Sequence, residues 1–196
     1  MSAPREGSAR ASNHPLRIAL SGSAGTGKTT LGRRLADELD VVYIEEGMRP
    51  RLEAGLDLHA LDRRGLTALV DELWREQRDA EARATAGFVA DRSSYDFAAF
   101  WLHYGLHPEA NVDDAAFERW CAHGESYDRI VLLPWGVLPL EADGVRSSSR
   151  WIQLRFQMTV EGTLARFAGE DRVLRVPATD DLEARADLVL RAIGRA

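Results

Sequence analysis

What the chain has little of narrows the field first. It holds one cysteine, Cys121, in 196 residues. No disulfide can close within it, and the expected setting is a reducing cytoplasm. No apolar run approaches the roughly 20 residues needed to cross a bilayer. Residues 1–15, MSAPREGSARASNHP, lack the apolar centre of a signal peptide and are expected to form a mobile tail outside the fold. Positive charge is in deficit, with 25 Lys and Arg against 31 Asp and Glu for a formal net charge of -6. A field of that sign disfavours nucleic acid and acidic membranes as partners. The histidines show no metal spacing. His103 and His107 are four apart, but Gly105 and Pro108 interrupt the helix there.

What remains is an ordinary soluble composition, 45% hydrophobic and 29% charged, enough to build one core. Residues 16–196 are read as one domain. Short apolar runs alternate with helical patterns along it. Strands are expected at Leu16–Leu20, Val41–Glu45, Gly87–Asp91, Asp128–Pro134 and Asp171–Pro177. Helices are expected at Thr29–Leu39, Leu66–Ala86, Ser93–Gly105, Asp113–His123, Ser148–Ala168 and Asp180–Ile193, the last capped by Asp180. Met48–Asp62 reads as loops with a short helix. Such alternation gives a parallel sheet covered on both faces, an α/β fold, with the first strand central.

The first strand runs into GSAGTGKTT, Gly22 to Thr30, followed by a helix. Gly22, Gly27, Lys28 and Thr29 fit the phosphate-loop pattern G-x-x-x-x-G-K-[ST] in full. Glycines at Gly22, Gly25 and Gly27 let the backbone approach phosphate oxygens. The N–H groups of Ser23, Ala24, Thr26 and their neighbours form an anion nest, and the helix that follows adds its positive end. Lys28 supplies a cation and the Thr29 hydroxyl a ligand for Mg²⁺. The expected ligand is ATP with Mg²⁺.

Ligands of open α/β sheets lie at the carboxyl ends of the strands. Glu45 and Glu46 end the second strand and point to opposite faces if it continues through them, so one of the two enters the site. Asp91 ends the third strand and can hold Mg²⁺ or take a proton from a substrate hydroxyl, a role equally open to Glu46. Arg49 and Arg92 are candidates for contacting substrate, with pairing to a nearby carboxylate as the alternative. Tyr95 and Trp135, near strand ends, are candidates for stacking on a planar acceptor.

The phosphate loop, EEGMR, DRSSYD and DGVR together resemble P-loop kinases of the nicotinamide riboside kinase type, the kinase domain of bacterial NAD-biosynthesis regulators and related AAA-like ATP-binding domains. The E-x-x-R motif of that group falls on Glu46 and Arg49, the Asp-Arg pair on Asp91 and Arg92, and the Asp-Gly-x-Arg lid segment on Asp143, Gly144 and Arg146. DRSSYD is also similar to the Glu-Arg-Ser motif of deoxynucleoside kinases. The resemblance spans Leu16 to Ile193. It implies a P-loop NTPase with a five-stranded parallel core, a small arginine-bearing lid at about residues 139–150, and transfer of the ATP γ-phosphate to a small-molecule hydroxyl. After the lid motif, SSSR carries no acid where the group has one.

A lid guanidinium can meet charge as it spreads over the transferred oxygens, and Arg146, then Arg150, are the candidates. Arg155 is read as a surface helix charge. The expected activity is an ATP-dependent kinase acting on a nucleoside-like or other metabolite hydroxyl. A nucleotide-binding regulatory ATPase without such an acceptor is the alternative, and a kinase of RNA or DNA ends is disfavoured by the net charge. Monomer and homodimer are both open.

Overall fold

The computed structural model describes residues 14–107, 115–139 and 149–195. The expected tail, apart from His14 and Pro15, lies outside them, as does most of the expected lid, Asp143, Gly144 and Arg146 included.

Among the described residues five strands form one parallel sheet: β1 (Leu16–Ser21), β2 (Val42–Ile44), β3 (Gly87–Ala90), β4 (Arg129–Leu132) and β5 (Val173–Arg175). Their spatial order is β2-β3-β1-β4-β5, so the strand feeding the phosphate loop lies at the centre. Register is tight: Ile18 sits beside Val89 on one side and Arg129 on the other. β3 is buried throughout, as are the last four residues of β1 and the last three of β4, and they read as near-continuous apolar runs, as a strand covered on both faces must.

Among the described residues seven α-helices surround the sheet: α1 (Lys28–Leu39), α2 (Met48–Glu53), α3 (Arg63–Arg83), α4 (Ser94–His103), α5 (Ala115–Gly124), α6 (Arg150–Phe167) and α7 (Leu182–Ala192). On one face Leu31 and Leu35 of α1 and Ala186, Val189 and Leu190 of α7 pack on Ile18, Leu20, Val89 and Val131. On the other, Tyr95 and Ala99 of α4 and Phe156, Val160 and Leu164 of α6 pack on Ala19, Phe88, Ala90 and Ile130. The odd and even residues of each strand thus feed separate cores. α3 extends the second face through Leu69, Leu73 and Trp74, which meet Phe97 and Trp120.

Element ends differ from the sequence expectation in instructive ways. The edge strands β2 and β5 are shorter than their apolar runs, because only paired residues count as strand. α7 is capped by Asp181, not Asp180: the Asp181 carboxylate accepts from the N–H groups of Glu183 and Ala184 at 3.0 and 3.1 Å. Two adjacent aspartates satisfy the same sequence pattern, and only the backbone path selects one.

Gly124 closes α5 against α4. A Cβ there would stand 2.2 Å from Cε2 of Tyr95, whose side chain is fully buried. Gly124→Ala is therefore expected to lower stability by about 1–3 kcal/mol through overpacking. A thermal melt checks it; an unchanged Tm would mean that α5 shifts freely away from α4.

Candidate active site

The phosphate loop joins β1 to α1. Gly22 and Gly27 have φ of +134° and +86°. A Cβ at Gly27 would also press on Leu138 and Arg185 at 3.0 and 3.1 Å, so this position excludes side chains twice over. The loop is braced from α6. Gln157 Oε1 accepts from the Ser23 N–H at 2.8 Å and Gln153 Oε1 from the Ala24 N–H at 3.2 Å. Thr26 Oγ1 donates back to the Ser23 carbonyl at 3.0 Å. Lys28 Nζ donates to the carbonyls of Gly22 and Ser23 at 3.0 and 2.7 Å. Burial pushes the Lys28 amine down to about 8; the nearby Arg92 charge adds to this, and Asp91, Glu46 and Asp96 oppose it. Lys28 is the only lysine in the chain, all other basic residues being arginine apart from histidine.

Beside the loop, Thr29 Oγ1 donates to Asp91 Oδ2 at 2.6 Å, and the Tyr43 hydroxyl donates to the same oxygen at 2.7 Å. Burial first, then the Asp91 charge, holds the Tyr43 hydroxyl protonated well above its ordinary range. Oδ1 of Asp91 is buried and has no hydrogen-bond partner among the described residues. A buried carboxylate oxygen next to a phosphate-loop threonine fits a Mg²⁺ ion, which takes few protein ligands and leaves room for phosphates and water.

A second group forms around Arg92, which is 3% exposed. Its Nε and Nη2 bond Glu46 Oε1 at 2.9 and 2.8 Å, and its Nη1 bonds Asp96 Oδ1 at 3.0 Å and the Gly22 carbonyl at 2.8 Å. Phe100 and Phe156 flank the guanidinium with centroids at 5.0 and 5.5 Å. Burial works against the Arg92 charge, but Glu46, Asp96 and Asp91 more than offset it. Asp96 is fully buried and accepts from the Ser21 hydroxyl at 2.6 Å, the Ser93 hydroxyl at 2.8 Å and the Ser93 N–H at 3.1 Å. Ser93 and Asp96 thereby form the capping box of α4.

A cavity of about 500 Å³ runs from Ala24 of the phosphate loop past Glu46 and Arg92. Phe100, Tyr104 and Phe156 form part of its wall, with leucines from the α2–α3 stretch opposite. Another cavity, of about 510 Å³, lies between β2 and α3 and shares Glu46 and Arg92. It touches no residue of the phosphate loop, so the first is the one in reach of a bound phosphate.

Of the two strand-end glutamates, Glu45 is exposed and pairs with Arg33 at 3.0 Å, whereas Glu46 is buried and lines both cavities. Several of the expected substrate contacts lie away from this cavity. Tyr95 is fully buried in the core and its hydroxyl donates to the Phe167 carbonyl at 3.2 Å, so it presents no face to an acceptor. Arg49 lies on α2 and pairs with Glu53 at 3.7 Å; neither it nor Trp135 lines the cavity beside the loop. Trp135 instead lies under Arg150, with the guanidinium 5.4 Å from its ring centroid. Arg155, read from sequence as a surface charge, lines the cavity. Arg146 lies outside the described residues. Tyr43, Asp96, Gln153 and Gln157 were not legible as site residues. Only Asp96 carried a local signal, in the S-x-x-D spacing from Ser93.

Among the described residues no helix is long and apolar enough to cross a membrane. Sequence comparison finds a cytidylate kinase from Exiguobacterium sibiricum, 49% identical over 49 residues, 22% of this chain and 22% of that protein. A putative adenylate kinase from Natronomonas pharaonis is 30% identical over 119 residues, 60% of this chain and 50% of the other. The matched stretches therefore span half or less of either relative. Among solved structures, a deoxyadenosine kinase from M. mycoides with bound dATP superposes with TM-score 0.63 at 16% identity, over 91% of this chain and 100% of that one. The NadR protein in complex with NR superposes with TM-score 0.61 at 20% identity, over 92% of this chain and 50% of that one. These likenesses establish a kinase-like P-loop NTPase fold. The AAA domain family matches residues 17–185, nearly the whole described chain, and this protein belongs to it.

Proposed function

We propose that this protein is an ATP-dependent kinase that transfers the γ-phosphate to a hydroxyl of a nucleoside-like or other small metabolite. The observation that carries this reading is the cavity that opens from Ala24 onto Glu46 and Arg92, a place for an acceptor beside a phosphate loop. The names of the relatives, all kinases apart from NadR, agree with it.

In this reading the loop and Lys28 orient the triphosphate. Thr29 and Asp91 hold Mg²⁺, which when bound offsets charge on the phosphates. The acceptor lies in the cavity with its hydroxyl toward Glu46. The Glu46 carboxylate takes the hydroxyl proton as the oxygen bonds to the γ-phosphorus, and the bond from that phosphorus to the β–γ bridging oxygen breaks, releasing ADP. Arg92 holds the Glu46 carboxylate in place. Asp91 is already committed to Thr29 and Tyr43, so Glu46 is the better-placed base. Arg146 is the first candidate to meet charge on the transferred phosphate, and Arg150 the second.

The test is ADP release from Mg·ATP across a panel of nucleosides, vitamin-like alcohols and other small hydroxyl compounds. Release that depends on one class of acceptor supports the proposal. Release, or nucleotide binding, with no dependence on any acceptor across a broad panel favours the regulatory ATPase. Under either reading Lys28→Met is expected to weaken Mg·ADP binding about 10- to 100-fold, the size of a charge-assisted hydrogen bond. Titration calorimetry checks it, and undiminished affinity would remove the loop as the nucleotide site.

A further inference from the structure

Arg185, on the first turns of α7, is 2% exposed. Its Nη1 donates to the carbonyl of Thr26 in the phosphate loop at 2.9 Å, and its Nε to the carbonyl of Thr179 in the loop between β5 and α7 at 2.6 Å. Its buried Nη2 has no hydrogen-bond partner among the described residues. Among the described residues no carboxylate pairs with it, unlike Arg92, which has two. A buried guanidinium whose hydrogen bonds go only to neutral carbonyls, with a donor left idle and the Asp180 charge only partly opposing its desolvation, is a costly way to fill space; an apolar side chain of similar volume would pack there at less cost.

Its position suggests what offsets that cost. The acceptor cavity lies over the ends of β2 and β3, where Glu46 and Arg92 stand. A nucleotide whose γ-phosphate faces Glu46 must extend its base the other way, over β4 and β5. There Leu138, following β4, and Arg185 both close on Gly27. Arg185 is thus the strut between the loop that takes the phosphates and the loop that flanks the base end.

We propose that Arg185 is a positioning residue of the donor subsite, locking the phosphate loop to the β5–α7 loop so that the phosphates and base of the donor nucleotide are bound as one unit. This rests on the reading that the phosphate loop holds a nucleoside triphosphate. Arg185 acts through the carbonyls of Thr26 and Thr179 and sets how much the base adds to binding.

The experiment compares wild type, Arg185→Met and Arg185→Lys by calorimetric titration with Mg·ADP and with Mg·tripolyphosphate, which has phosphates and no base. Melting curves accompany each. The expected result for Arg185→Met is a Kd for Mg·ADP raised about tenfold or more, with tripolyphosphate within about twofold. Its Tm is expected to be unchanged or raised, because a buried unpaired charge has been removed. Arg185→Lys, which keeps the charge but not the two-armed geometry, is expected to lose the ADP preference as well. The ratio of the two affinities decides, whatever the melting curves do. Equal weakening of both ligands makes Arg185 a prop of the phosphate loop alone and overturns the proposal, as does an unchanged ratio. A wild type that binds neither ligand removes the donor reading itself, and the proposal with it.

Discussion

Glu46→Gln is expected to lower acceptor-dependent turnover about 10²- to 10⁴-fold, the usual worth of a general base. Gln keeps an oxygen for the Arg92 guanidinium but cannot take a proton. Arg92 also retains Asp96 and the Gly22 carbonyl, so the local arrangement survives. Mg·ADP affinity should stay within about threefold, because the loss is confined to the transition state. Asp91→Asn is expected to behave differently. Its carboxylate faces Thr29 and Tyr43 rather than the cavity, so the substitution should weaken metal-nucleotide binding along with turnover. Steady-state kinetics and calorimetry on both variants separate the roles. Full turnover in Glu46→Gln would return the base assignment to Asp91.

Asp96→Ala is expected to cost about 3–5 kcal/mol of stability, since it leaves buried partners uncompensated. Asp96 accepts from Ser21, Ser93 and Arg92, joining β1, the start of α4 and the candidate catalytic pair. For a chain of this size that corresponds to a fall in Tm on the order of 6–20 °C. Chemical denaturation measures the free energy directly. A loss under about 1 kcal/mol would show that water replaces the carboxylate and that the network is not closed. The surviving folded fraction should also bind nucleotide poorly, because the Gly22 N–H and carbonyl are positioned through Asp96 and Arg92.

Much of the architecture is legible from residues alone, and the reasons are local. An apolar run, a glycine-rich turn and leucines four apart specify strand, loop and helix wherever the rest of the chain goes. The phosphate loop is such a case: positive φ at Gly22 and Gly27 is a backbone demand that the residue type announces. Strand-end acids were legible for the same reason, since strand ends in a parallel sheet face ligands.

Side-chain partnership across the sheet was not local. Tyr95 stands near a strand end, as an acceptor contact should, yet it points into the core beneath Gly124. One position along α4 rotates a side chain about 100°, and the sequence does not state which face meets solvent. Tyr43 reaches Asp91 from 48 residues away, and Gln157 reaches Ser23 from 134. Nothing in either short stretch marks those pairings.

The sequence by itself determined a parallel α/β sheet, a phosphate-loop motif at Gly22–Thr30 and acids at the ends of the second and third strands, because each follows from spacing along the chain. Only the tertiary structure decided that Glu46 faces a cavity while Asp91 faces Thr29, that Arg92 is held between two carboxylates, and that Arg185 bridges two loops. Those outcomes depend on how distant elements pack, and a buried charge takes its role from the partners that packing brings to it.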